Sequence, residues 1–226
     1  MVCLICSKKV YSYYLTRQLV NLVYQQAPVI CEVCLAQFEK ITGNCQRCGG
    51  IDSLKSSICQ DCLYWEKQDY LVSHQAIFCY NQAMQTYFSN YKFSGDYRLR
   101  FVFAKQLAEI INMRYRDFLV APIPISKGRM AIRGFNQVIG LLEAAEIKYT
   151  CLLNKPNEAL AQSSKTKEDR LKITQPFEIN PTVKIDNRQK ILLVDDIYTT
   201  GSTLYQATKC IKQVGVKQIS TLSLAR

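Results

Sequence analysis

Past residue 68 the apolar positions alternate between short continuous runs and stripes at helical spacing. LVSHQAIFCY, at 71–80, passes from alternation into an apolar run and predicts a strand. Helical periodicity follows at 82–93 and 97–115, and the apolar run FLVAPIPI at 118–125 predicts a second strand. GFNQVIGLLEAAE then predicts a helix, residues 149–153 a strand, and 154–170 a polar connection. The rest alternates again: the strand KILLVDD, the loop IYTTGST, the helix LYQATKCIKQVG and the strand VKQISTLSL. Strand and helix in turn predict an α/β class domain with a mostly parallel sheet over 69–226.

Residues 1–68 follow a different rule, set by cysteine. Eight of the 11 cysteines form four C-x-x-C pairs, Cys3/Cys6, Cys31/Cys34, Cys45/Cys48 and Cys59/Cys62. MVCLICSKKV has no apolar run of signal-peptide length, and FLVAPIPI is too short to span a bilayer and holds two prolines. The expectation is a cytoplasmic protein with reduced thiols, in which this spacing supplies zinc ligands for two structural ions. CQRCGG and CQDC have a zinc-ribbon form, with Gly49 and Gly50 turning the knuckle, and are assigned to one ion. The first two pairs flank a segment with helical apolar spacing (Leu15, Leu19, Leu22, Val23), and crossed pairing stays open. Cys3 follows Val2 and has Cys6 at ligand spacing, which fits a metal ligand better than a nucleophile. Cys79, Cys151 and Cys210 sit in apolar segments and are expected to be buried thiols.

Charge points to a polyanionic partner. The formal net charge is +11, and +6 of it lies between residues 71 and 135. Two zinc ions on eight thiolates would lower the total to about +7. His74 is the single histidine, so multi-histidine metal sites are excluded and a histidine-based triad would have to use it. Its place on a strand suits an ordinary, partly buried imidazole better.

ILLVDDIYTTGST, from Ile191 to Thr203, carries the most specific chemistry. A buried strand ends in Asp195 and Asp196, and a run of small hydroxyl residues with one glycine leads into a helix. Ligands of open α/β sheets bind at that end of the strands. Backbone N–H groups of Thr199, Thr200, Gly201, Ser202 and Thr203 can converge on a phosphate there. The two carboxylates would repel the phosphate but can accept from neutral hydroxyls, which together suit a ribose 5-phosphate.

This motif resembles the signature of the type I phosphoribosyltransferases, whose ligand is 5-phosphoribosyl 1-diphosphate with magnesium. With the four cysteine pairs, YKFSGDYRL at 91–99 and PIPISKGRMAIRGFNQ at 122–137, nearly the whole chain resembles the ComF proteins of natural transformation, of the ComFC type. The resemblance implies a zinc-ribbon module over 1–68 and a phosphoribosyltransferase-like domain over 69–226. It makes Lys127, Arg129 and Arg133 candidates for the diphosphate, and Gln162 and Arg170 candidates on a loop that closes over the site. Solvated surface is an equal reading for Lys127 and Arg129.

In purine-salvage relatives a carboxylate usually stands at the position of Thr199, so the resemblance argues against a purine acceptor. No other segment offers an acceptor site, and whether catalysis occurs is left open. The resemblance implies DNA uptake, with the uptake helicase and recombination-loading proteins as partners, at the inner face of the membrane only through them. Tyr91, Lys92, Phe93, Arg98 and Arg100, among further aromatics at 87–101, offer stacking faces and phosphate contacts for single-stranded DNA. Helical spacing equally allows Tyr87, Phe88 and Tyr91 to form a core face. A transferase acting on an unidentified acceptor is the alternative to a DNA-handling role.

Overall fold

The computed structural model describes residues 2–10, 29–51, 57–156 and 176–226. Four strands, β1 (His74–Phe78), β2 (Phe118–Pro122), β5 (Lys190–Ile197) and β6 (Gln218–Ala225), form one sheet in the order β1-β6-β5-β2, with every pair parallel. Two short strands, β3 (Leu153–Asn154) and β4 (Glu178–Ile179), pair antiparallel outside it. Among the described residues the helices are α1 (Glu32–Leu35), α2 (Gln60–Glu66), α3 (Gln82–Phe93), α4 (Ala104–Arg114), α5 (Lys127–Arg133), α6 (Gln137–Ala144) and α7 (Ser202–Lys212), with a 3-10 turn at Tyr97–Phe101. This is the α/β architecture the sequence predicts: a parallel sheet flanked by helices, preceded by cysteine modules.

Side chains of β5 alternate between the two faces of the sheet. Leu192 and Val194 enter a core with α3, α4 and α6, while Ile191 and Leu193 enter a second core with α7. Each cysteine module is continuous with one of these. Cys3, Cys34, Ile30 and Phe38 join the first core; Cys45, Cys48, Cys59, Cys62 and Trp65 join the second. Apolar contact with the sheet stabilises modules whose own apolar interior is small.

Several elements depart from the sequence expectation for local reasons. β2 stops at Pro122, after which Ile123 N–H still donates to Val194 O, and Pro124 has no N–H to continue the ladder. The helix expected over 97–115 divides at Phe103. The segment at 149–153 follows the edge of β2 through one bond, Thr150 N–H to Val120 O, and then pairs with β4 instead of extending the parallel sheet. Residues 127–133, for which the sequence assigned no element, form α5, because Ser126 Oγ accepts from Arg129 N–H at one end and Gly134 takes the left-handed conformation (φ 80°) at the other. Of the three cysteines expected as buried thiols, Cys210 is buried, Cys79 is half-buried and Cys151 is exposed.

Candidate phosphate loop and cysteine centres

Among the described residues the cysteines gather into two groups, Cys3, Cys6, Cys31 and Cys34, and Cys45, Cys48, Cys59 and Cys62, with the sulfurs of each group all within 4.8 Å of one another. Neighbouring pairs are thus joined and the crossed arrangement is not formed. A tetrahedron with metal–sulfur bonds of about 2.3 Å has sulfur–sulfur edges of about 3.8 Å. The observed separations are 3.8 Å for Cys6–Cys31, 3.7 Å for Cys45–Cys62 and 3.5 Å for Cys48–Cys59, which fit zinc. Both centres are built alike. The third cysteine caps a short helix, α1 or α2, that carries the fourth, and the first sulfur accepts a backbone N–H from the third: Cys31 N–H to Cys3 at 3.4 Å, Cys59 N–H to Cys45 at 3.3 Å. Four thiolates would fill the coordination shell of a zinc ion and leave no open position on it.

Asp195 and Asp196 stand at the carboxyl end of β5, which is central to the sheet. Asp195 follows Leu193 to the second face and Asp196 follows Val194 to the first. Both are buried; Asp195 Oδ1 accepts Asp196 N–H at 2.9 Å and Asp196 Oδ1 accepts Ile197 N–H at 2.7 Å. Burial, with the Asp196 carboxylate as the next cause, pushes the Asp195 carboxyl up to about 8. Lys92 Nζ lies 2.5 Å from Asp196 Oδ2, in a pair of which both members are largely removed from water.

The loop after β5 exposes Thr199, Thr200, Ser202 and Thr203, while Gly201 is buried at the start of α7. Gly201 takes φ 83°, and a Cβ there would run into the Tyr198 hydroxyl, so the turn needs glycine twice over. Its carbonyl accepts Tyr205 N–H, while the first-turn amides before Tyr205 precede the reach of the helix's own carbonyls. Thr200 Oγ1 lies 3.5 Å from Ser202 N. Exposed hydroxyls beside helix-start amides at the carboxyl edge of a central strand form a cradle suited to an anion.

Cations border the first face. Arg133 donates to Gln137 Oε1 and lies 5.7 Å from the centre of the Phe93 ring; burial lowers its pKa, and the Asp196 carboxylate works in the opposite direction. Lys127 and Arg129 are exposed on α5. Gln162 and Arg170 lie outside the described residues.

The surface set expected to meet DNA is divided by the structure. Tyr91 is fully buried, with its hydroxyl donating to Gln137 O at 3.0 Å, so it belongs to the core and cannot stack on a base. Tyr87 and Phe88 are buried with it, which settles the helical stripe as a core face. Lys92 is withdrawn into the Asp196 pair, over the Phe88 ring. Phe93 is 77% exposed; Arg98 is exposed and forked onto Asp96; Arg100 lies between the Tyr97 and Phe101 rings and pairs with Glu143.

His74 is buried, with Nδ1 2.9 Å from Thr221 Oγ1 and Nε2 3.1 Å from Ser223 Oγ, and burial lowers its pKa to about 3. It is a neutral core histidine stacked on Tyr198. Sequence reasoning missed Lys92 as the partner of Asp196, and missed Trp65 and Arg226, whose contacts with the loop are described below.

Lys92→Met should therefore act on stability. Leaving the Asp196 carboxylate buried without its cation is expected to cost about 3 kcal/mol, or roughly 6 to 12 °C in Tm for a chain of this size. Lys92→Met combined with Asp196→Asn should recover most of the loss, and differential scanning calorimetry of the single and double variants checks both.

Fold and site together define an α/β protein in which a hydroxyl-rich loop crowns the central region of a parallel sheet and a four-cysteine centre packs on each face. The chain is 44% identical to competence protein ComFC of Streptococcus pneumoniae, with both chains covered completely, and 32% identical to competence protein ComFC of Bacillus subtilis, covering all of this chain and 95% of that one. It is also 23% identical to competence protein F of Haemophilus influenzae over 87% of this chain and 90% of that one. The chain belongs to the ComFC family of competence proteins. No family model matches it. Among solved structures it matches the allosteric regulatory enzyme of purine biosynthesis over 55% of this chain and 25% of that one (18% identity, TM-score 0.38). A hypoxanthine phosphoribosyltransferase from Staphylococcus aureus is matched over 55% and 61% (15% identity, TM-score 0.34).

Proposed function

We propose that this protein is a cytoplasmic competence factor that handles incoming single-stranded DNA, with a pocket at the end of β5 that binds 5-phosphoribosyl 1-diphosphate and magnesium. Full-length similarity to proteins named ComFC carries the competence reading. The pocket reading is supported by Asp195 and Asp196 at the strand end and by the exposed hydroxyls of Thr199, Thr200, Ser202 and Thr203 beside the start of α7. In this reading the loop holds the 5-phosphate, the aspartates accept from the ribose hydroxyls, and Arg133, Lys127 and Arg129 meet the diphosphate. Magnesium accompanies the diphosphate.

DNA contact falls to the exposed members of the surface set, Phe93 and Arg98, together with Phe101, which is 39% exposed, and the half-buried Arg100 beside it. Phe93 offers a ring to a base, and the arginines supply phosphate contacts that salt would weaken. The uptake helicase and recombination-loading proteins are the proposed partners. No described helix is long and apolar enough to cross a membrane.

Fluorescence anisotropy of a labelled single-stranded oligonucleotide over a salt series tests the DNA arm. Affinity should fall steadily with salt, and Phe93→Ala should weaken it about tenfold at fixed salt, the loss expected for one stacked base. Absence of binding at low salt would remove direct DNA contact. The intact acidic pair and loop also favour a second reading, a phosphoribosyltransferase, which requires diphosphate release that depends on a specific acceptor.

A further inference from the structure

The loop at 199–203 is held from behind by the second cysteine module. Trp65, on the helix that begins at Cys59 and carries Cys62, donates Nε1–H to Thr200 O at 2.7 Å and stacks on Tyr205 of α7 at 4.5 Å. Arg226 donates from Nη1 to Thr199 O at 3.3 Å. Its other terminal nitrogen lies 3.6 Å from Asp61 Oδ2 and 3.9 Å from Cys59 Sγ. The guanidinium also covers the Tyr198 ring at 4.6 Å, and Gly50, on the metal knuckle, leaves the room it occupies, since a Cβ there would run into it.

These contacts have a directional consequence. In a planar trans peptide the carbonyl of one residue and the N–H of the next point in opposite directions. Holding the carbonyls of Thr199 and Thr200 toward the cysteine module therefore turns the N–H groups of Thr200 and Gly201 to the other side. That is the orientation an anion needs from them. Trp65 stands on α2, and Arg226, whose backbone is anchored beside Phe78 at the end of β6, has its guanidinium met by α2 through Asp61; α2 is seven residues long and too short to persist alone, with Cys59 at its cap and Cys62 within it.

We propose that Trp65 and Arg226 are positioning residues that make the anion-binding geometry of the 199–203 loop depend on the metal of the second centre. The inference rests on the reading of this loop as a phosphate site. By linkage, a ligand in the loop must in turn strengthen retention of that metal, while the first centre stays indifferent.

The test uses the full zinc-loaded chain and the variants Arg226→Met, which keeps length and apolar packing, Arg226→Lys, which restores a donor, and Trp65→Phe, which keeps the stacked ring. Hydrogen exchange of the 199–205 segment needs no ligand. It should quicken about tenfold in Arg226→Met and Trp65→Phe, the effect of losing one hydrogen bond, with α6 unchanged and two zinc ions still bound. The Kd for 5-phosphoribosyl 1-diphosphate with magnesium should weaken about tenfold in the same two variants and recover most of this in Arg226→Lys. The same ligand should slow chelator release of one of the two zinc ions severalfold in the parent protein and not in Arg226→Met. Exchange at 199–205 equal to the parent, with a Kd within twofold, would overturn the proposal. If the parent does not bind this ligand, the phosphate-site reading fails, and the exchange result alone supports or overturns the structural coupling.

Discussion

Asp195→Asn is expected to stabilise the protein while removing its ligand. The folded carboxyl is pushed up to about 8 by burial, whereas in the unfolded chain it ionises near the ordinary value of about 4. The folded state thus holds a proton that the unfolded state has lost between these pH values. The contribution of Asp195 to stability is full below pH about 4 and is lost as pH rises through about 8. Asparagine keeps an oxygen for the Asp196 amide and never has to carry the buried charge. The variant should match the parent near pH 4 and exceed it increasingly toward pH 9, by at least about 1 kcal/mol, or roughly 2 to 4 °C in Tm. Ligand affinity should fall at least tenfold above pH about 8, where the parent carboxyl is ionised and offers the ribose hydroxyls a charged acceptor that asparagine cannot supply. Melting curves across the pH range, paired with calorimetric titration, check both halves. Parallel curves for the two proteins would show that Asp195 ionises as an ordinary carboxyl.

The second large effect concerns the four-cysteine centre behind the loop. Cys48 is fully buried in the second centre, in a core that continues through Trp65 to Leu193 and Val216. Cys48→Ser removes one of four thiolates and should lower bound zinc from two ions per chain to one. The expected cost is at least about 3 kcal/mol, or roughly 6 to 12 °C in Tm, because metal binding there is coupled to folding. Elemental analysis with calorimetry measures this directly. Two retained ions at an unchanged Tm would contradict a structural role for this centre.

What the sequence made legible followed local rules. Helix 82–93 has the predicted limits because Asn81 caps it, accepting Met84 N–H, and because Met84, Tyr87, Phe88 and Tyr91 form one buried stripe. The cysteine pairs joined as neighbours because each set closes on itself through a short helix. Residues 127–133 form a helix that no apolar stripe announces, because Ser126 and Gly134 cap it there. Lys92 looked like a surface cation, since nothing in YKF shows that the last turn of α3 faces the end of β5. Trp65 and Thr200 are 135 residues apart, and no periodicity links them. Tertiary packing decides such contacts, and spacing along the chain does not encode them.

On the proposed function, the end of β5 is a phosphoribosyl diphosphate site. Calorimetric titration of 5-phosphoribosyl 1-diphosphate with magnesium into the zinc-loaded protein, alongside the Asp195→Ala, Asp196→Ala double variant, tests it most directly. Saturable one-to-one binding is expected in the parent and none in the variant, with the circular dichroism spectrum and both zinc ions retained. Equal affinity in the two proteins, or no binding in the parent at millimolar ligand, would contradict it.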